Sequence, residues 1–252
     1  MNIIKKIANS LGYDLIKTKK HPSLNAHIIN LIRFYKIDTV IDVGANNGQF
    51  GLSLRKNGYL GEIYSFEPVS TIFNRLKTTS EHDNNWHIYN TALGDKISSS
   101  VINVSESSDL SSILVANKYG KETYPAIKIS HQETIEIDTF DMFYAKYFSK
   151  NSRRILFKMD TQGYDLKVFR GAQESFKNIF CLLSEVSLTP LYSDMPHYLE
   201  ALKEYEENGF HISGMYPVSR NKLDLSIIEF DCVLINKRHP ANKQGLLDNR
   251  NL

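Results

Sequence analysis

Thr39-Val-Ile-Asp42-Val-Gly44-Ala45-Asn46-Asn47-Gly48 reads as a buried strand that runs directly into a glycine turn. Helical periodicity follows from Gln49 to about Asn57, and Gly58 stops it. Gly44 and Gly48 permit backbone angles and close approaches that a side chain would block. The start of the helix offers unpaired N–H groups and a positive dipole end to an anionic group. The next strand, Ile63–Phe66, ends at Glu67-Pro68, and Glu67 lies 19 residues past Gly48. A carboxylate there is placed to accept from two ribose hydroxyls. The competing reading is a tight strand-to-helix turn with an incidental acid downstream.

Outward from this unit, β and α patterns alternate. A helix is expected over Ser70–Thr79 and a strand over Ile88–Thr91. The apolar runs Ile155–Phe157, Ile179–Leu183 and Cys232–Ile235 supply further strands, with helices near Asp165–Phe176 and His197–Asn208. This alternation predicts an α/β fold whose mostly parallel sheet is covered on both faces. The expected sheet is doubly wound and seven-stranded, with an antiparallel C-terminal end around Phe210–Ser213 and Ile228–Ile235. It occupies residues 37–236, after an N-terminal helical extension (1–36) and before a polar tail (237–252). Within it, residues 105–125 are polar and serine-rich and read as a long loop or lid. In the extension, Ser23 is an N-cap for a helix whose apolar face is Leu24, Ile28, Leu31, Ile32 and Tyr35.

The 252 residues carry 30 Lys+Arg against 28 Asp+Glu, a near-neutral balance unlike that of a dedicated nucleic-acid binder. The longest unbroken apolar run, Ile179–Leu183, is far too short to span a bilayer, and no apolar block of signal-peptide length follows Lys5 and Lys6. The two cysteines, Cys181 and Cys232, sit in separate apolar runs and are expected as free thiols in a reducing cytoplasm. Ile3, Ile4, Ile7 and Leu11 form a stripe among lysines. It is expected to pack on the body or on a second copy in a homodimer; the alternative is weak contact of residues 1–20 with an anionic membrane surface.

The ligand follows from the loop. Nicotinamide dinucleotides favour G-x-G-x-x-G, but Asn46 stands at the second glycine position, so a ligand without pyrophosphate fits better. S-adenosylmethionine has an adenosine to grip and an amino-acid end to hold. Asp42 would face its ammonium, and the amides of Gly44, Ala45, Asn46, Asn47 and Gly48 would take its carboxylate. Two other classes remain open: an NAD(P)-dependent Rossmann oxidoreductase and a non-catalytic nucleoside-binding module.

Four blocks together, Asp42-Val-Gly-Ala-Asn-Asn-Gly48, Phe66-Glu-Pro68, Asn90-Thr-Ala-Leu-Gly-Asp95 and Lys158-Met-Asp-Thr-Gln-Gly-Tyr-Asp165, resemble the FkbM-type S-adenosylmethionine-dependent methyltransferases. The resemblance runs from about Thr39 to Asn236. It implies a class I methyltransferase sheet, S-adenosylhomocysteine as product, and O-methylation of a sugar or polyketide hydroxyl. By the same resemblance Glu67 with Pro68 borders the ribose, Thr91 and Ala92 border the adenine, and Asp160 faces the methyl-transfer pocket. The family's last block usually reads K-x-D-x-E-G-x-E, whereas this chain has Gln162 and Asp165.

Methyl transfer needs an acceptor oxygen held in line and relieved of its proton. Asp160 follows strand Ile155–Phe157 at the carboxyl edge of the sheet, and Glu185 is expected on the same edge one strand over. The two suit a base and a positioner, or oxygen ligands for a divalent ion, although no metal is required at first guess. Asp160 also has a structural reading, as a helix cap or as the partner of Lys158. His131, ahead of a strand-like run, is a third candidate base. Ser112, Lys158, Gln162, Tyr192 and Tyr216 are candidate acceptor contacts for a small-molecule or glycan substrate, with Tyr119 and Tyr124 also in loops that could flank a sugar ring.

Overall fold

The computed structural model describes residues 3–13, 15–16, 20–148 and 153–239. Its central sheet has seven strands: β1 (Thr39–Val43), β2 (Glu62–Phe66), β3 (Trp86–Tyr89), β7 (Ile155–Met159), β8 (Ile179–Ser187), β9 (Phe210–Arg220) and β10 (Ile227–Asn236). Their order is β3-β2-β1-β7-β8-β10-β9. The first five run parallel, while β10 is antiparallel to both β8 and β9. This is the doubly wound class I methyltransferase architecture expected from the sequence. β1 and β7 are buried along their whole length, and apart from Thr39, Asp42 and Lys158 their residues are apolar.

Helices cover both faces. α2 (Leu24–Tyr35), α3 (Gln49–Lys56) and α4 (Ser70–Ser80) pack on one face, where Ile28, Leu54 and Leu76 meet Val40 and Leu156. α6 (Phe140–Tyr147), α7 (Asp165–Arg170) and α8 (Tyr198–Glu207) cover the other, with Phe140, Phe169 and Tyr205 among the fully buried side chains. α2, placed in the extension by the sequence reading, is thus part of the body; Ser23 caps it as expected, accepting from the Ala26 N–H. α1 (Ile3–Ser10) buries none of its side chains, and Ile3, Ile4, Ile7 and Leu11 are exposed among the described residues. Residues 240–252 of the expected tail, and parts of 1–20, lie outside the described residues.

A second sheet, unread in the sequence, joins β4 (Ala92–Leu93), β6 (Ile129–Asp138) and β5 (Ser98–Ser105) in the order β4-β6-β5. Ile102, Val104, Ile135 and Ile137 bury one side of it against Val69 and Ile72. Residues 105–125 form a folded strap over this sheet. It contains a 3-10 turn at Ser108–Leu110, β-bridges Asn103–Ser112 and Ala116–Tyr192, and α5 (Lys118–Thr123). Its polar sequence hides this order because serine hydroxyls bind backbone: Ser105 Oγ donates to the Leu110 and Ile127 carbonyls. The expected helix Asp165–Phe176 stops at Arg170, with Gly171 as its C-cap packed too close to the Gly94 carbonyl for a side chain, and a 3-10 turn (Gln173–Asn178) follows.

β1 and β7 lie side by side, and from them the chain winds toward opposite ends of the sheet. Their loops part at this switch point and open the crevice where such sheets bind ligands.

Candidate functional site

The crevice holds a cavity of about 350 Å³, within the usual range for a small-molecule site. Its floor is the loop after β1. Gly44 has φ +73°, and a Cβ there would strike the Asp160 carbonyl, so only glycine lets the two loops approach. Gly44 N and Ala45 N both donate to the Phe66 carbonyl at 3.0 Å, Asn46 N donates to Glu67, and Gly48 N to the Ala45 carbonyl. Those four amides are therefore engaged within the protein, contrary to their expected role on a ligand carboxylate. Gly44 and Asn46 line the cavity. Ala45, Asn47 and Gly48 stand behind it: a Cβ on Gly48 would meet Leu76 at 2.9 Å, and the Asn47 carbonyl accepts from Thr79. The Asn46 side-chain oxygen accepts from Asn47 Nδ2 and from Ser108 of the strap, leaving the amide nitrogen as a donor at the wall.

Asp42 does not face the cavity. It pairs in register with Lys158, and alternation puts both on the same inner face of the sheet. Asp42 is completely buried, with the Lys158 ammonium 2.8 Å from its Oδ1. Trp86 Nε1 donates to Ser65 Oγ, which in turn reaches Asp42 Oδ2. Lys158 Nζ also donates to the Gly44 carbonyl at 3.1 Å. Burial alone would push the lysine pKa down, but the Asp42 and Asp160 carboxylates reverse this and hold it above its ordinary value. Lys158 is thus a brace under the loop, not the acceptor contact expected from the sequence.

Glu67 is 5% exposed at the cavity wall. Its Oε2 accepts from Asn46 N and its Oε1 from Val69 N, each at 2.9 Å. Burial raises its pKa to about 7 against these two hydrogen bonds, which lower it. Asn90, absent from the sequence candidates, donates from Nδ2 to the Glu67 and Pro68 carbonyls and fixes this corner. Pro68, Ala92 and Leu93 line the same end. Thr91 does not: its hydroxyl donates to the Glu136 carbonyl and ties the second sheet in place.

We expect Glu67→Ala to weaken S-adenosylhomocysteine binding by ~1.5–3 kcal/mol for each ribose hydrogen bond lost. Calorimetry on folded protein checks this; unchanged affinity would remove Glu67 as the ribose acceptor. Because the folded pKa lies above the ordinary carboxylate value, Glu67 makes the ligand-free protein lose stability as pH rises from about 4.5 to about 7. Glu67→Gln should flatten that slope.

At the opposite end the wall is acidic. Asp160 N donates to the Val43 carbonyl, extending the β1–β7 ladder, and Asp160 Oδ2 lies 3.4 Å from Lys158 Nζ. The Lys158 partnership read in the sequence is therefore present, but Asp160 caps no helix: the N-cap of α7 is Tyr164, with no side-chain cap hydrogen bond. Asp165 Oδ1 accepts from the Thr161 N–H at 2.8 Å and from the Thr161 hydroxyl. Burial lifts the Asp165 pKa to about 6. Glu185, one strand over as expected, accepts from Gln162 Nε2 at 2.8 Å. Burial pushes its pKa well up, and the negative charges of Asp160, Glu229, Asp165 and Asp231 add to the rise.

Gln162 lines the cavity, while Tyr192 and Ser112 stand behind it: both hydroxyls lie on Gln162, at its side-chain oxygen and its carbonyl respectively. Tyr124 reaches the wall; Tyr119 instead meets Asn221. Two candidates fall elsewhere. His131 is on the outer part of β6, bound to Ser130 and Glu133, because β6 belongs to the second sheet. Tyr216 packs on the α2 face, its hydroxyl 2.8 Å from His27 Nδ1.

Glu229, Ser219 and Asp109 are wall residues that sequence reading missed. Glu229 arrives through the antiparallel register that sets it opposite Ser187, and it accepts from Ser187 and Ser219. The wall carries five carboxylates (Glu67, Asp109, Asp160, Glu185 and Glu229) and, among the described residues, no Lys, Arg or His. No group of three or more His, Cys, Asp or Glu side chains among the described residues is arranged to hold a metal ion.

The family model described as the methyltransferase FkbM domain matches residues 42–212. No curated protein matches the sequence. Among solved structures, the chain is similar to magnesium protoporphyrin IX methyltransferase from Synechocystis PCC 6803 with bound SAM (TM-score 0.47, 8% identity, 94% of this chain and 85% of that one). It is also similar to an rRNA methylase from Streptococcus thermophilus (0.44, 10%, 84% and 95%). A third likeness is to Aeropyrum pernix fibrillarin with natively bound S-adenosyl-L-methionine (0.44, 11%, 79% and 66%). This chain thus spans just under two thirds of the fibrillarin chain.

Proposed function

The chain belongs to the FkbM methyltransferase family, and from that membership we propose that this S-adenosylmethionine-dependent methyltransferase O-methylates a hydroxyl of an uncharged sugar or glycan. The cofactor, when bound, supplies an electrophilic methyl group on a good leaving group. The residues present fit it: Glu67 offers a fixed carboxylate at the ribose position, and Gly44, at the cavity floor, lets the Asp160 loop close against the loop after β1. Ala92 and Leu93 give the adenine an apolar bed, and Asn46 a donor for the amino-acid end.

The observation that carries the acceptor class is the wall of carboxylates without a cation. Carboxylates and the Ser219 hydroxyl suit the many hydroxyls of a sugar ring. They repel a phosphate or uronate placed beside the reacting oxygen, a penalty sharpened where water is excluded. Glu185 is the favoured base, since burial and then the negative charges of Asp160, Glu229, Asp165 and Asp231 raise its proton affinity, whereas Asp160 is engaged by Lys158. On attack, the acceptor O–H proton passes to the Glu185 carboxylate.

Methyl-labelled S-adenosylmethionine offered with matched neutral, phosphorylated and uronate-bearing oligosaccharides tests this reading. Label is expected in a neutral acceptor. Transfer confined to anionic acceptors would overturn the acceptor class. Binding of the cofactor without turnover on any acceptor in the panel would favour the nucleoside-binding module.

A further inference from the structure

Gln162 occupies a backbone conformation that a β-carbon disfavours, φ +53°, followed by Gly163 at +93°. The Ser112 hydroxyl pins its carbonyl at 2.7 Å. Its side-chain amide bridges Glu185, 2.8 Å from Nε2, and the Tyr192 hydroxyl, 2.9 Å from Oε1. That hydroxyl is also 3.0 Å from the Leu110 carbonyl, in the strap's 3-10 turn. A tyrosine hydroxyl has one proton and here faces two acceptors.

The two choices correspond to two states of Glu185. When Tyr192 donates to Gln162 Oε1, the amide NH₂ is fixed toward Glu185, which suits a carboxylate. When Glu185 carries a proton, its O–H needs an acceptor. Turning the amide over supplies Oε1 to that O–H, sends the NH₂ to the Tyr192 oxygen, and leaves the tyrosine proton for the Leu110 carbonyl. All groups stay hydrogen-bonded in either state, which matters where a buried polar atom left without a partner is costly. A glutamate at 162 has no donor for a carboxylate, and an apolar residue has neither function.

We propose that Gln162 is a positioning residue that satisfies Glu185 both before and after it takes the acceptor's proton, turning over between the two states and relaying the change through Tyr192 to the Leu110 carbonyl of the strap. The inference rests on the reading of Glu185 as base. In the step itself, the acceptor oxygen bonds to the methyl carbon, the carbon–sulfur bond breaks with its electron pair going to sulfur, and the acceptor proton moves to Glu185. The groups facing Glu185 are Asp160 at the end of β7, Asp165 on α7, Glu229 and Asp231 on β10, the Tyr124 and Tyr192 hydroxyls, and the Gln162 amide. Gln162 is the neutral donor hydrogen-bonded to it.

The test uses Gln162→Met, Gln162→Glu and Tyr192→Phe in the full chain. The Glu185 carboxyl ¹³C titration is followed with S-adenosylhomocysteine bound, beside the pH profile of kcat/KM. Removing the donor in Gln162→Met should move the Glu185 titration to higher pH. Gln162→Glu should move it further, by about one pH unit or more, because two adjacent carboxylates share a proton. The acid limb of activity should shift in the same order. Hydrogen exchange of the strap amides at 110–112 should respond to pH through the Glu185 titration in the parent and lose that response in Tyr192→Phe.

Lower melting temperature with an unmoved Glu185 titration in both Gln162 variants would overturn the inference. So would a parent-like exchange response in Tyr192→Phe, which also serves if the Gln162 variants fail to fold. A titration that moves as stated while the acid limb stays fixed would support the amide relay and remove Glu185 as base.

Discussion

Glu185→Gln is expected to cut turnover ~10²–10⁴-fold, the range for a positioned proton acceptor, while S-adenosylhomocysteine affinity changes little. The substitution keeps size and hydrogen-bonding capacity and removes basicity at one wall of the cavity. It also removes one of several neighbouring negative charges, so the folded protein should be no less stable than the parent. Asp160→Asn is the paired measurement. Asp160 lies 3.4 Å from the Lys158 ammonium and is engaged in that ion pair. Its loss should lower turnover less than the loss of Glu185. Single-turnover kinetics with a working acceptor decides between them; a larger effect at Asp160 would exchange the two roles.

Lys158→Met is expected to destabilise the fold by ~3–5 kcal/mol, the usual consequence of leaving a buried charge without its partner. Asp42 is 0% exposed, so water cannot replace the ammonium 2.8 Å away. The same change frees the Gly44 carbonyl and loosens the loop, so cofactor affinity should fall with stability. Chemical denaturation of Lys158→Met and of the double variant with Asp42→Leu checks this: the double variant should recover much of the loss. A single-variant loss within ~0.5 kcal/mol, ordinary for a surface site, would show that the pair does not brace the loop. Since the folded lysine pKa lies above its ordinary value, the pair's contribution is complete at neutral pH. It is lost only as pH rises past the ordinary lysine value and through the folded one.

The glycine loop after β1, the parallel strands and the helices α2, α3 and α4 were legible because each is written locally. Thr39–Val43 is buried on both sides and carries Val40, Ile41 and Val43, Ser23 caps its own helix, and Gly44 and Gly48 take left-handed angles within one turn. Glu67, Asp160 and Glu185 were legible because the carboxyl ends of parallel strands share one edge, so position in the strand implies position in space. Tertiary structure alone decided the direction of Asp42 and Lys158. They lie on different strands, and only the β1–β7 register sets them side by side on one face and under the loop. The same holds for the second sheet and the strap, whose strands carry serines and charges because one side faces water. It holds also for Glu229, brought to the cavity by an antiparallel pairing with Ser187, and for the Tyr192–Gln162–Glu185 chain, whose members come from three separate segments. A strand's burial marks its own residues, whereas a hydrogen bond between distant segments leaves no trace in either of them until packing brings them within reach.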